Sequence, residues 1–233
     1  MVKRDLVEGR TLTLVSKLVL GEKVLMAREH DPIIEILIRE SLAVKQALLD
    51  DQKLLSLIAS VGRTCVTALR KGNRILLFGN GGSAADAQHL AAELVGRFRR
   101  ERPGLPALAL TTNTSALTAI GNDYSFANVF ARQVEAFGKK GDVAIGISTS
   151  GDAANVLGGI AMARAKGLLT VGMTGKNGGK LGKQVQYCLG VPAEATARVQ
   201  EAHILIGHVL CEIIDRELST RKVRIRISKS RVA

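Results

Sequence analysis

His89 and Glu93 stand four residues apart in HLAAE, and Gln200 and His208 stand eight apart in QEAHILIGH. On a helix, a spacing of four puts two side chains on one face, and a spacing of eight, slightly over two turns, does the same. An imidazole, a carboxylate, an amide oxygen and a second imidazole make a donor set for a zinc-like ion. They equally well place an acid and a base around a reacting carbon. For each pair taken alone, the plainer reading is a surface ion pair or a hydrogen-bonded buried histidine. Two such pairs in one frame favour chemistry.

The glycine loop just ahead of His89, Gly79-Asn80-Gly81-Gly82-Ser83-Ala84, formally matches the relaxed dinucleotide fingerprint. A dinucleotide site also wants an acid at the end of the next strand to hold the ribose, and here ALALTTNT ends in Thr and Asn. A triphosphate loop needs a lysine and a hydroxyl at fixed spacing, which GKNGGK lacks. No nucleotide cofactor is expected. A second loop, Ser148-Thr149-Ser150-Gly151-Asp152, sets three hydroxyls just before a helix that begins near Ala153. Hydroxyls and free amides at a helix N-terminus make a neutral cradle for a phosphate monoester. Capping alone explains a lone serine; three in a row, with Ser83 in the corresponding loop of the first unit, favour a sugar phosphate.

Alternating elements position these loops. Asp31 and Pro32 open a long amphipathic helix running to Leu49, and a second helix spans about Asp51 to Arg70 and stops at Gly72. Short β-like runs follow at Arg74–Phe78, Pro106–Leu110, Val143–Ser148, Leu168–Thr174 and Tyr187–Val191, with helical patterns between them. That alternation predicts βαβ units and a doubly wound parallel sheet, with ligands outside the carboxyl ends of the strands. The glycine and serine loops both follow strands.

Composition sets the remaining bounds. The chain has 233 residues, 46% of them hydrophobic, with no Trp, so the core is expected to be aliphatic. That suits a parallel sheet covered by helices. No apolar run is long enough to span a membrane, and the N-terminus MVKRDLVEGR is charged where a signal peptide is apolar, which predicts a cytoplasmic protein. Cys65, Cys188 and Cys211 are scattered in apolar segments and are expected to be reduced and buried. The net charge is +12, and half of it sits in the tail, where RKVRIRISKSRVA has six basic residues and no acid. A basic tail of this kind is expected to cap or solvate an end; a nucleic-acid partner is not expected, though the tail leaves room for an anionic one. Val223, Ile225 and Ile227 alternate with Arg224, Arg226 and Ser228, the pattern of a short strand with one apolar face. Residues 1–30 fit neither period and are read as an added arm, giving three parts: arm 1–30, domain 31–218 and tail 219–233.

From about Ile36 to Leu218 the chain resembles the phosphoheptose isomerases of the sugar isomerase (SIS) fold family. The resemblance rests on GNGGSAADAQH, AELVGRF, ERPGLPALAL, AIGNDYSFANVFARQVEA, GDVAIGISTSG, TGKNGGK, and RVQEAH followed by His208. It implies a three-layer αβα sandwich around a flavodoxin-like five-stranded parallel sheet, preceded by N-terminal helices. It also implies conversion of sedoheptulose 7-phosphate to D-glycero-D-manno-heptose 7-phosphate through an enediol, a step towards ADP-heptose and lipopolysaccharide core precursors. By the same resemblance Glu93 and His208 are the catalytic acid–base pair, and His89, Glu93, Gln200 and His208 hold one zinc per subunit. Asn80, Gly81, Gly82, Ser83, Glu93, Asn122, Asp123, Ser148, Thr149, Ser150 and Gln200 contact the substrate. A homotetramer with sites completed by neighbouring subunits is implied as well, and the alternating tail segment is expected to pack within it.

The sequence departs from the family pattern at Ala153, where many members have a serine completing the phosphate loop. It departs again at Ala197, in place of an acid, and at Ala92, in place of the first of two glutamates. None of these removes a catalytic group. A rival reading comes from a bacterial paralogue of the same fold that binds the replication initiator protein and lacks the acid–base pair; ALTAI-ND and the alanine of ARVQE resemble it. Glu93 and His208, both present, favour the enzyme. A sugar-phosphate sensor for transcription would want a helix-turn-helix domain, for which the arm is too short.

Overall fold

A computed structural model of the chain describes residues 31–219; the arm and, from residue 220 onward, the basic tail lie outside the described residues. The chain divides after Leu42 into two compact units. The described part of the first is the opening of helix α1, Pro32–Asp50. Asp31 starts it as the sequence predicts: its carboxylate accepts from the Ile33 amide at 3.0 Å and its carbonyl from the Ile34 amide at 2.9 Å. In this part Ile33, Ile34, Ile36, Leu37, Ile38 and Leu42 are all exposed.

The second unit carries the sheet. After α2 (Gln52–Arg70), capped by Asp51, come β1 (Ile75–Gly79), α3 (Gly82–Val95), β2 (Ala107–Ala109), α4 (Thr114–Asp123) and α5 (Val129–Phe137). The chain continues through β3 (Val143–Ile147), α6 (Ala154–Ala165), β4 (Leu169–Thr174), α7 (Gly179–Gln184), β5 (Tyr187–Gly190) and α8 (Thr196–Ser219). Each strand falls within one residue of its predicted bounds. All five pair in parallel in the order β2-β1-β3-β4-β5. This is the expected flavodoxin-like sheet, whose switch point lies between β1 and β3.

Side chains of β1 alternate between two cores. Ile75 and Leu77 face one that also buries Leu54, Leu90 and Ile206 from α2, α3 and α8. Leu76 and Phe78 face the other, with Phe130 of α5, Ile160 of α6 and Leu181 of α7. A period of two feeding two apolar layers makes the three-layer sandwich. The cores are almost wholly aliphatic, as the composition requires; the Phe78–Phe130 pair, with ring centroids 5.2 Å apart, is an exception. Cys65 and Cys211 are buried, and burial pushes both thiols up to about 12. Cys188 corrects the expectation for the cysteines: it lies on the edge strand β5, where only one side has a neighbouring strand, and is half-buried.

Candidate active site

The register pairs Gly79 with Ile147, so β1 and β3 end side by side and the residues after them, Asn80 and Ser148, open two adjacent loops at the switch point. Gly79 must be glycine here, because a Cβ would come within 2.7 Å of the Ile147 carbonyl and 2.8 Å of Ser83 Cβ. Gly81 takes φ 54° at the entry to α3, and that helix starts with no side-chain cap. α6 also starts without a side-chain cap, since Ala153 has no side-chain oxygen to offer. Two helix N-termini thus approach one place without internal acceptors for all their amides, which is the electrostatic setting for a phosphate.

The hydroxyl loop is folded onto itself. Ser148 Oγ accepts from the Gly151 amide at 3.1 Å and Ser150 Oγ from the Asp152 amide at 3.2 Å, while the two hydroxyls lie 3.4 Å apart. Gly151 has φ 72° and leaves no room for a Cβ against the Gly178 carbonyl, so the TGKNGGK loop packs directly behind the cradle. The amides of Leu181 and Lys180 complete that packing, donating to the Gly151 carbonyl and the Asp152 carboxylate. Across the switch point, Asn80 and Asn155 exchange two amide hydrogen bonds of 2.8 Å, and Asn155 Oδ1 also accepts from the Val156 amide. Asn155 was not singled out in the sequence. It joins the two halves of the cradle.

The cluster of His89, Glu93 and His208 sits on α3 and α8. His89 Nε2 lies 2.8 Å from His208 Nε2 and 3.5 Å from Glu93 Oε1. Ligand atoms of His89, Glu93 and His208 all fall within 4.8 Å of one another. Two ring nitrogens that close need a proton or a cation between them, and tetrahedral zinc with Zn–N near 2.0–2.1 Å sets its ligand atoms roughly 3.4 Å apart. The donors present therefore fit a metal ion. Phe98 stacks on the His208 ring at 5.8 Å. Gln200 lies against the glycine loop: a Cβ on Gly82 would run into its amide. Gln200 is thus placed at the glycine loop, on the same helix as His208. The helices come together because Gly207 has no side chain; a Cβ there would be 2.6 Å from Leu90.

Asp86, one turn before His89, was also missed, although its spacing of three from His89 was the available signal. Its Oδ2 is buried without a hydrogen-bond partner. Burial raises its pKa, and the neighbouring His89 and His208 oppose that rise. His203, on the same helix as Gln200 and His208, is a satisfied core histidine on one side only. Its Nε2 lies 3.0 Å from the Thr174 carbonyl, and burial lowers its pKa to about 4, so it is neutral at pH 7. Asn122 and Asp123 end α4, exposed and hydrogen-bonded to each other at 2.8 Å. No hydrogen bond among the described residues joins them to the cradle or the cluster.

A parallel α/β domain with two hydroxyl- and amide-rich loops at its switch point, and an imidazole–carboxylate cluster on the helix that follows the first of them, is the arrangement of an SIS-class domain. The SIS domain model matches residues 38–175. The chain is 55% identical over 181 residues to a phosphoheptose isomerase of Roseiflexus sp., covering 78% of this chain and 91% of the relative. It is 50% identical over 185 residues to that of Aneurinibacillus thermoaerophilus, covering 79% and 93%. The solved phosphoheptose isomerase of Neisseria gonorrhoeae superposes with a TM-score of 0.74 at 43% identity, over 78% of this chain and 97% of that one. The chain belongs to the phosphoheptose isomerase family of SIS-domain proteins.

Proposed function

We propose that this protein isomerises sedoheptulose 7-phosphate to D-glycero-D-manno-heptose 7-phosphate, supplying heptose for ADP-heptose and lipopolysaccharide core precursors. The observation that carries the reading is the Glu93, His89 and His208 cluster set beside a cradle of hydroxyls and amides. Ser83, Ser148, Thr149 and Ser150 would hold the phosphate, and Asn80, Gly81, Gly82, Asn122 and Asp123 would contact the sugar. Glu93 takes the proton from C1 while His208 gives one to the C2 oxygen, leaving an enediol. Return of a proton to C2, with loss of the O1 proton, completes the aldose without any external oxidant or reductant. His89, Glu93, Gln200 and His208 would hold zinc, which when bound polarises the substrate carbonyl. The substrate is a charged sugar phosphate, and the enzyme would meet it in the cytoplasm.

The assembly belongs to the same proposal. Six large apolar side chains exposed on residues 33–42 support a homotetramer in which neighbouring subunits complete each site. The binding paralogue is not favoured, because it lacks the acid–base pair found here. Purified protein incubated with sedoheptulose 7-phosphate should produce aldose signals by NMR, and light scattering of the same sample should give the mass of four subunits. Absence of aldose from folded, zinc-loaded protein would reject the isomerase; a monomeric mass would reject the assembly.

A further inference from the structure

Arg102 and Asp215 form a buried ion pair, Nε to Oδ1 at 2.8 Å, with side chains 1% and 0% exposed. The pair is saturated. Arg102 Nη2 donates to the Glu93 carbonyl at 2.9 Å, and Nη1 donates to the carbonyls of Leu94, Gly96 and Pro103. Asp215 Oδ2 accepts from the amides of Arg99 and Arg100. The guanidinium thus closes the C-terminal end of α3, where the carbonyls lack partners within the helix. It takes hold there of the backbone of the proposed acid–base residue itself. Asp215 lies seven residues beyond His208 on α8, two turns along and on the same face.

The same two helices also meet at the site itself, through His89 with His208 and through the close approach of Gly207 to Leu90. Contacts confined to that stretch fix a distance and restrain the crossing angle only weakly. An anchor at Asp215, about 12 Å further along the axis from Gly207 at 1.5 Å per residue, restrains it strongly. We propose that Arg102 and Asp215 are positioning residues for catalysis: they set the register of α3 against α8, and hence of Glu93 and His89 against His208. The inference rests on the isomerase reading. It assigns to a salt bridge far from the phosphate cradle an effect on turnover and metal affinity, with substrate affinity spared.

Arg102→Lys keeps the charge but loses the planar fork that spans Asp215 and the α3 carbonyls. Asp215→Asn keeps the shape. The double variant Arg102→Met with Asp215→Leu removes both charges, so neither is left buried alone. In whichever variants melt cooperatively, kcat should fall at least about tenfold, since misplacement of reacting groups by 1 Å costs up to about a hundredfold. KM should stay within about threefold. Zinc affinity of the metal-free protein, read by competition with a chromogenic chelator, should weaken by about tenfold or more. Wild-type protein that turns over and binds zinc, beside folded variants with unchanged kcat and zinc affinity, would overturn the inference and leave the isomerase reading intact. Wild-type protein without turnover would reject that reading instead. Failure of all three variants to fold would overturn the inference too, by assigning the pair to stability alone.

Discussion

The proposed phosphate cradle and the His89–Glu93–His208 cluster share helix α3 yet are built in opposite ways. The cradle is backbone, hydroxyl and amide on two loops that start from neighbouring strands, and its seam is one neutral amide pair, Asn80 with Asn155. The cluster is charged or titratable side chains on two helices, held by glycine packing at Gly207 and by a buried ion pair. Sheet register sets the loops side by side, because Gly79 and Ile147 are partners in the ladder, and the amide pair then ties them. Nothing comparable aligns two helices. Their crossing is set by side chains, so the cluster needs dedicated struts that the cradle does without. On the proposed function, the division would also separate two tasks: uniform binding of phosphate on one side, proton transfer felt only in the transition state on the other.

The largest effect should come from the cluster. Glu93→Gln and His208→Asn are each expected to lower kcat by at least about a hundredfold while the fold survives, as loss of a general acid or base does. Steady-state kinetics with thermal melts would check this; near-normal kcat in either folded variant would break the assignment of roles. A smaller effect, of another kind, should come from the cradle. Ser83→Ala and Ser150→Ala each remove one hydrogen bond to a charged phosphate, a loss of about 1.5–3 kcal/mol, and should raise KM about tenfold or more with kcat nearly constant. If these variants lost kcat at constant KM, the contrast between the two regions would be wrong. The smallest effect should follow Asn155→Ala. It unties the seam but leaves every hydroxyl in place, so KM should rise about fivefold, the equivalent of about one net hydrogen bond. An unchanged KM would show that sheet register alone holds the cradle together.

The cradle was legible in the sequence and the struts were not, for a physical reason. Glycines at a strand end and three successive hydroxyls announce themselves because the backbone conformation they allow is local. The strands likewise stood out as short apolar runs bounded by Gly or Pro. His89 with Glu93 was legible because both lie on one helical face, four residues apart. Arg102 and Asp215 are separated by 113 positions, and neither has a neighbour in sequence that hints at the other. Asn155 likewise meets Asn80 across 75 positions. Only the sheet order, with β1 beside β3, makes that meeting necessary, and the strand pattern predicts a doubly wound sheet without giving that order. Cys188 was misjudged because an apolar segment does not reveal whether its strand lies at an edge.

The seam has a further consequence, for chemical ageing. Asn80 precedes Gly81, and an asparagine followed by glycine is the arrangement most open to attack of the next backbone nitrogen on the side-chain carbonyl, which ends in an aspartate. Such thermolabile amides shorten the life of a protein in storage and at high temperature. Here both ends of the Asn80 amide are tied to Asn155, so the carbonyl is not free to swing towards Gly81. Were it converted, a fixed negative charge would stand beside the proposed phosphate cradle and would disfavour an anion there. We therefore hypothesise that the amide pair is a preservative as well as a seam. Peptide mapping after prolonged mildly alkaline incubation should find conversion at position 80 faster in the Asn155→Ala protein than in the parent, and equal rates would refute the idea.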